Sequence, residues 1–466
     1  MSTDGGRTNL QWKPWDNCTY PAILDYPDPG FPPGLVTILL AALCLLACCV
    51  LLARICQHYF LPAVGIIVNR WGVKGDVVSA VVFASAASWP ELAISVITVF
   101  DTRQAGVGIG TIVGTSVFNT LAVPAICAFS ISRSSTLDIA SMTRDTVMSA
   151  ISLFLLGIVL SDNMVGWAES SIMLLLYIIY VFVLTAFAIP VEPELPKSND
   201  PFENCHLLRT ANKFYVTPMY TANKGVSLEG IEQFKVTGPT SRRLGCWHWT
   251  KSAITMVTDA FVWPLHTCLR LIIPPPTCLT YLVVFLGMVY IAVITYVIAW
   301  MITILGYKLG IPNSLLSLTI LAVGLGYPDL ISSLKSIKEG TASGALSNTL
   351  GANTFNILVC LGLPWLVCCL LTFFEPEPPD DSITQPGQIY LDADGVTYSV
   401  NTMIGALLMF YAALVANRFV LNIVVGYICI FIYIFFVITM SLIEFNVFFL
   451  ANKPLCNIKD YYNDPS

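Results

Sequence analysis

Charge is what this 466-residue chain has least of: Asp, Glu, Lys and Arg make up 11% of it, less than half the usual share of a soluble domain, against 56% hydrophobic residues. That balance excludes an ordinary water-soluble fold. The few charges lie between apolar runs that each approach the roughly 20 residues a helix needs to cross about 30 Å of hydrocarbon, so helices are expected rather than a barrel. No basic field exists either. The 23 basic and 29 acidic residues, net −6, are spread over different loops, and no nucleic-acid partner is expected. The start, polar to about Pro33 and carrying Asp4, Asp16, Asp25 and Asp28, does not look like a cleavable signal with a basic start and short apolar middle, and reads as a retained tail. Glycosylation acceptors are scarce as well: Asn17-Cys18-Thr19 is the one N-x-S/T triplet, and a glycan there would place the tail outside the cytosol. The 15 cysteines lack zinc spacing, since Cys246 and His248 have no two further ligands nearby. Cys44, Cys48, Cys49, Cys360, Cys368, Cys369 and Cys429 fall in or at the ends of apolar runs and read as small hydrophobes. Cys18 and Cys456 fall on the same expected outer side, where a bridge depends on geometry.

What is present is a set of apolar runs in two groups. Spans are expected near Leu35–Arg54, Val77–Phe100, Gly106–Phe129, Val147–Leu160 and Ala168–Ala188. The second group falls near Thr280–Leu305, Ser314–Leu334, Ala342–Val367, Val400–Val415 and Asn422–Leu442. Between them Pro190 to Pro276 carries nine Lys or Arg, and its apolar piece, Ala260–Ile273, is too short to cross. The chain therefore divides into an extracytosolic tail (1–34), a first membrane half (35–189), a cytosolic loop (190–276), a second membrane half (277–450) and a second extracytosolic tail (451–466). Orientation rests on basic residues near span ends, eight inside against six outside once the long loop is set apart. The stretch Leu371–Ser399 supports it: Glu375, Glu377, Asp380, Asp381, Asp392 and Asp394 stand there without a basic residue, as suits an external loop. Asp392-Ala393-Asp394-Gly395 lacks the remaining ligands of a calcium loop and reads as a solvated turn.

The chain also repeats itself. Ser88-Trp89-Pro90-Glu91-Leu92 with Ser95 returns as Gly326-Tyr327-Pro328-Asp329-Leu330 with Ser333. Further on, Gly114-Thr115-Ser116-Val117-Phe118-Asn119 returns as Gly351-Ala352-Asn353-Thr354-Phe355-Asn356, one residue closer to the first block. The copies occupy 77–129 and 314–367, the second and third spans of each half. Five spans per half turn the second copy upside down, which is the pattern of alternating-access transporters with a site at the midplane. The fold class expected is thus an all-α polytopic membrane protein, about ten transmembrane helices in two inverted five-helix repeats.

The repeated residues carry the chemistry. Proline removes a backbone donor and frees carbonyl oxygens of the preceding turn, here before Pro90 and Pro328. Glu91 and Asp329 each cost about 2.5 to 3.5 kcal/mol at a helix centre on insertion scales, so each needs a cation or partner. No basic residue of the repeat spans supplies one. Ser88, Glu91 and Ser95 share a helical face, as do Gly326, Asp329 and Ser333, so hydroxyls sit beside acids. Such oxygens suit a hard cation. The plainer alternative is a pair of acids near helix ends that reach water past ordinary proline kinks. Gly106, Gly110 and Gly114, matched by Ser343, Ser347 and Gly351, form a small-residue stripe for helix packing. Asn119 and Asn356 either join helices through their amides or ligate through their carbonyl oxygens.

The two blocks resemble the alpha repeats of the cation/Ca2+ exchanger superfamily, most closely its potassium-dependent sodium/calcium exchangers. The likeness is carried by Tyr59-Phe60-Leu61-Pro62, Pro90-Glu91-Leu92, Gly108-x-Gly110-Thr111-Ile112-Val113-Gly114, Phe118-Asn119, Pro328-Asp329, Ser347-Asn348, Phe355 and Leu361-Gly362-Leu363-Pro364-Trp365. It covers roughly residues 56–130 and 280–366. It implies ten helices, a central site coordinated by the two repeat carboxylates and Na+ entry exchanged for Ca2+ exit, with K+ as the third ion of that branch; no cofactor is expected, and the plasma membrane is favoured, with an intracellular membrane as the alternative. Taken with the residue chemistry above, the expected metal site comprises Glu91, Asp329, Ser88, Ser95, Ser333, Thr115, Asn119 and Asn356. The chain departs from that pattern at Ala87, Leu325 and Gly326, where hydroxyls are usual, at Ala352, and at Asn356, where the potassium-dependent branch has an acid. Those departures leave two readings open: an exchanger that does not need K+, and a member of the fold that has lost transport or changed ions.

Overall fold

The computed structural model describes residues 23, 26, 27, 30, 34–70, 82, 84–100, 105–131, 134–186, 279–338, 342–373, 386–391 and 394–448. Both expected tails, the 190–276 loop, Asn17, Cys18, Cys246, His248 and Cys456 lie outside the described residues or almost wholly so. Helices dominate. α1 runs Leu35–Ile55, passes through a π turn at Cys56–Phe60 and continues as Leu61–Arg70. α2 is Trp89–Val99; α3 is Ala105–Val117, a π turn at Phe118–Ala122, and Val123–Ser130. α4 is Ile139–Val159 and α5 is Trp167–Ala186. α6 is Thr280–Leu309; α7 joins Asn313–Leu316, a π turn at Ser317–Leu321, and Ala322–Lys338. α8 joins Ala342–Phe355, a π turn at Asn356–Leu361, and Gly362–Thr372, followed by α9 (Asp394–Ala416) and α10 (Ile423–Glu444).

Among the described residues nine helices are long and apolar enough to cross a membrane, and α2 is a shorter apolar helix. Each of the ten expected spans thus meets a helix, with shifted bounds; α9 starts at Asp394 rather than Val400, which takes Asp394 and Gly395 out of the expected turn and into a helix. α1 extends well past Arg54, because a π turn absorbs the polar Cys56-Gln57-His58 without breaking the ladder. α4 starts at Ile139 rather than Val147, because Asp138 caps it by accepting from the Ser141 amide at 3.0 Å. Proline acts differently in the two copies. The helix is interrupted at Ser88, two residues before Pro90, whereas α7 runs unbroken through Pro328.

The described residues group into two compact units. The smaller comprises 43–90 and 179–297, the larger residues up to 42, 91–178 and 298–466. Within the smaller, Phe60 packs on Gly287, where a Cβ would meet its ring at 3.0 Å, and the Trp89 indole donates to the Met288 carbonyl at 3.3 Å. The larger unit holds both acid-bearing segments. Its interior is α3, of which Val107–Ala125 is buried throughout, so this helix forms the centre against which the others pack. α10 shows the lipid-side logic: Val425, Cys429, Ile432, Phe436 and Met440 are buried, while Phe431, Ile434, Phe435 and Ile438 face outward.

Two short antiparallel pairs tie the links of the larger unit: β1 (Ser135–Thr136) with β4 (Val420–Leu421), and β2 (Met164–Gly166) with β3 (Gln388–Tyr390). β1 lies between α3 and α4 and pairs with the strand between α9 and α10. β3 lies between α8 and α9 and pairs with the strand between α4 and α5. Advancing each helix number by five exchanges one pair with the other, which is the internal symmetry that the repeat demands. Next to β4 the chain turns through two consecutive left-handed residues, Arg418 and Phe419, with φ of 53° and 54°. The Phe419 amide donating to the Leu414 carbonyl at 2.8 Å, and the Leu137 amide donating to the Phe419 carbonyl at 2.8 Å, hold that turn.

Candidate functional site: a carboxylate pair at the crossing of two repeats

The small-residue stripe of α3 determines how close the helices come. A Cβ at Gly110 would lie 2.7 Å from the Ser317 hydroxyl, and one at Gly114 would collide with the Leu318 carbonyl oxygen and stand 2.7 Å from the Ala322 Cβ. α3 therefore meets α7 backbone to backbone, and the helix carrying Asp329 is drawn against the one carrying Asn119. Gly326 has the same origin. A Cβ there would lie 2.7 Å from the Phe118 ring and 3.3 Å from the Thr115 methyl, so the position leaves no room for a hydroxyl side chain. The second copy of the stripe does something else. Ser343 accepts from the Asp138 amide at 2.9 Å, and Ser347 donates to the Asp145 carboxylate, joining α8 to α4.

The two copies cross at their matched positions. Asn353, the counterpart of Ser116, donates to the Ser116 carbonyl at 3.2 Å and to the Thr120 hydroxyl at 3.0 Å. The pseudo-twofold axis thus passes beside the two π turns that begin at Phe118 and Asn356, each of which holds a repeat asparagine. Such turns widen the helix by one residue and redirect carbonyls, and they recur at functional sites.

Glu91 is 1% exposed and Asp329 6%, and the two lie within electrostatic range of one another. The Asn119 amide nitrogen donates to Asp329 Oδ2 at 2.9 Å, which leaves Asn119 Oδ1 without a partner. Glu91 Oε2, Ser95 Oγ and Asn356 Nδ2 are likewise buried without a hydrogen-bond partner. Cys360 lies within reach of Glu91's charge and 3.8 Å from Asn356 Oδ1. Within the larger unit Asn119 thus holds Asp329, Glu91 lies within range of Asp329's charge, and Asn119 Oδ1 and Glu91 Oε2 are left as unsatisfied oxygens, whereas at Asn356 it is the amide nitrogen that has no partner. Two adjacent carboxylates repel in a low-dielectric interior, and a cation held by both removes the repulsion and the orphaned lone pairs together.

The remaining expected ligands sit differently. Ser333 is buried, 2% exposed, four residues after Asp329 on α7. Thr115 donates its hydroxyl proton to the Thr111 carbonyl, leaving only lone pairs for an ion. Ser88 is buried in the smaller unit, and its amide donates to the Ala84 carbonyl at 3.1 Å. Among the described residues no cluster of three His, Cys, Asp or Glu side chains forms a metal site, so any ion bound here is held by two acids plus amide and hydroxyl oxygens.

Sequence reasoning missed two other buried acids. Asp145, 1% exposed, receives Arg144 Nε at 2.8 Å and the Ser347 hydroxyl; it lies two residues before the expected start of its span at Val147. Glu444, 3% exposed, accepts from the Ser314 hydroxyl at 2.5 Å and lies two residues past the expected end of the last span. Both have hydrogen-bond partners, whereas Glu91 Oε2 has none. Asp138, just outside α4, is held below the usual carboxylate range by the Ser141 hydroxyl and amide that it caps.

A family model for the sodium/calcium exchanger protein matches residues 41–186 and 279–442. The chain is 25% identical to human sodium/potassium/calcium exchanger 4, covering 95% of this chain and 88% of the relative. Human sodium/potassium/calcium exchanger 5 is 26% identical, over 88% of this chain and 85% of the relative. Two solved structures share the fold at 12% identity. The H+/Ca2+ exchanger CAX gives a TM-score of 0.51, covering 91% of this chain and 89% of that one. Native YfkE gives 0.52, covering 90% and 95%.

Proposed function

We propose, from the premise that this chain belongs to the sodium/calcium exchanger protein family, that it is a secondary active antiporter exchanging Ca2+ for Na+ by alternating access. The observation that carries this reading is the bond between repeats: Asn119 of the first copy fixes Asp329 of the second, while Asn119 Oδ1 and Glu91 Oε2 are left as buried, unpaired oxygens. Glu91 and Asp329 together offer two negative charges, enough for one Ca2+, with amide and hydroxyl oxygens completing the shell. The names of the relatives and of CAX support Ca2+ as the common ion. The test is labelled Ca2+ flux in proteoliposomes under imposed Na+ and H+ gradients. Na+-driven uptake is the expected result. Uptake driven by protons alone would favour a cation/proton exchanger, and no uptake under any gradient would favour a member that has lost transport.

Transport should not need K+. A third acid, as in the potassium-dependent branch, would offer three charges to Ca2+ plus K+; Asn356 removes it and leaves two. At bilayer depth an uncompensated unit charge costs several kcal/mol, and an amide dipole recovers only part of that. Ca2+ flux with and without K+ is therefore expected to be equal in the wild type, and a K+ requirement is expected to appear in Asn356→Asp. A strong K+ requirement in the wild type would refute the charge count.

Both termini are placed outside the cytosol and the 190–276 segment inside, in the plasma membrane, with a glycan at Asn17. The basic residues near span ends and the acidic Leu371–Ser399 stretch support this. In intact cells a cysteine introduced at Lys224 should resist impermeant thiol reagents, whereas glycosidase treatment should shift the wild type and leave Asn17→Gln unchanged. Labelling at position 224 from outside would invert the topology.

A further inference from the structure

Beyond Glu91 the polar face of α2 continues: Ser95 and Thr98 follow at i+4 and i+7, both buried at 3% and 2% exposure. Beside them lies a cavity of about 10 Å3, room for the centre of one water or one bare cation, lined by Ser95, Thr98, Gly108, Ile109, Trp365 and Leu391 among others. Three observations make it more than a packing void. The Ser95 hydroxyl lines it and has no hydrogen-bond partner. The Thr98 hydroxyl donates to the Ile94 carbonyl at 2.8 Å and contacts the Ser95 carbonyl at 3.3 Å, so its lone pairs are free for a cation. Gly108, which also lines the space, makes room for the Thr98 hydroxyl, because a Cβ there would collide with it.

The cavity has a direction. Glu91 is one helical turn from Ser95 on one side. On the other stands Leu391, whose amide donates to the Asn163 carbonyl at 2.9 Å, immediately after β3 and opposite β2. Trp365 and Leu391, 3% and 1% exposed, cover the space from that side. We infer that this cavity is a transient cation subsite between Glu91 and the β2–β3 face, with Ser95 and Thr98 as hydroxyl ligands and Trp365 and Leu391 as the lid that must part for exchange there. A cation that leaves Glu91 in this direction meets hydroxyl oxygens instead of an apolar wall, which spreads the desolvation cost over two short steps. The subsite rests on the antiport reading above and deepens it by assigning one face.

Two measurements decide it. In oriented proteoliposomes the half-saturating Ca2+ concentration is read separately at each face for the wild type, Ser95→Ala and Ser95→Thr. Ser95→Ala is expected to raise it about threefold to tenfold at the β2–β3 face, as for one lost neutral ligand, with less than a twofold change at the opposite face and recovery in Ser95→Thr. Equal shifts at both faces, or none, would overturn the subsite. Independently of turnover, Ser95→Cys is compared with the unaltered chain for modification by a small cationic thiosulfonate. Modification from the β2–β3 face alone, slowed by Ca2+, is expected; modification from the other face, or no protection by Ca2+, would overturn the inference. A wild type that carries no flux would sink the antiport reading, and the protection experiment would then still decide the subsite.

Discussion

Replacing Glu91 by Gln or Asp329 by Asn is expected to reduce Ca2+ flux to background while leaving the protein in the membrane. Each change preserves side-chain volume and removes one of the two charges available to balance a divalent ion. The consequences differ in detail. Glu91 Oε2 has no partner in the protein, so Glu91→Gln removes a charge that nothing else uses. Asp329 is fixed by the Asn119 amide at 2.9 Å, and Asp329→Asn can retain that bond through its own carbonyl. Folding should survive both, because burying a neutral amide costs less than burying an unpaired carboxylate. The check is flux per inserted molecule, with surface labelling and detergent-extracted thermal stability measured alongside. Near-normal flux in both single variants would remove the site assignment; equal or higher thermal stability with lost flux would show that the acids serve the ion and not the fold.

The second large effect is expected at Gly114. A Gly114→Val side chain would stand in the Leu318 carbonyl and against the Ala322 Cβ, both backbone or backbone-near atoms that cannot rotate away. α3 and α7 must then separate, at a cost of about 1–3 kcal/mol for overpacking, and the separation falls between Asn119 and Asp329. Loss of at least nine-tenths of the flux with a lowered melting temperature is the expected outcome. Gly405→Ala in α9 is the comparison, since a Cβ there meets nothing within 4 Å and wild-type flux should remain. Matched behaviour of the two variants would show that the close approach is not required.

Much of the site was legible because inverted repetition writes the same chemistry twice. Glu91 and Asp329 stand out by their placement after proline in apolar runs, and the asparagines by their equivalent positions. Asn353 carries no such mark, because its counterpart is Ser116, a residue of a different type. Its role follows from the crossing of α3 and α8, where one copy's amide reaches the other copy's backbone. Asp145 and Glu444 were missed for another reason. Hydropathy windows stop where charges begin, whereas a helix continues as long as its ladder and cap allow, and both acids fall in those extra turns. The glycine at position 326 looked like a missing ligand, and its cause is the Phe118 ring pressed against it.

Composition and pattern by themselves determined the solvent, the helical class, the two inverted halves and the pair of acids, because each depends on local properties: apolar length, residue type and recurrence along one chain. Only the tertiary structure decided which oxygens are already used. Asn119 binds Asp329, Thr115 turns back on its own helix, and Ser95 looks into a small cavity instead. Hydrogen-bond satisfaction is a property of three-dimensional neighbours 210 residues apart in the case of Asn119 and Asp329, and no spacing within one helix encodes it.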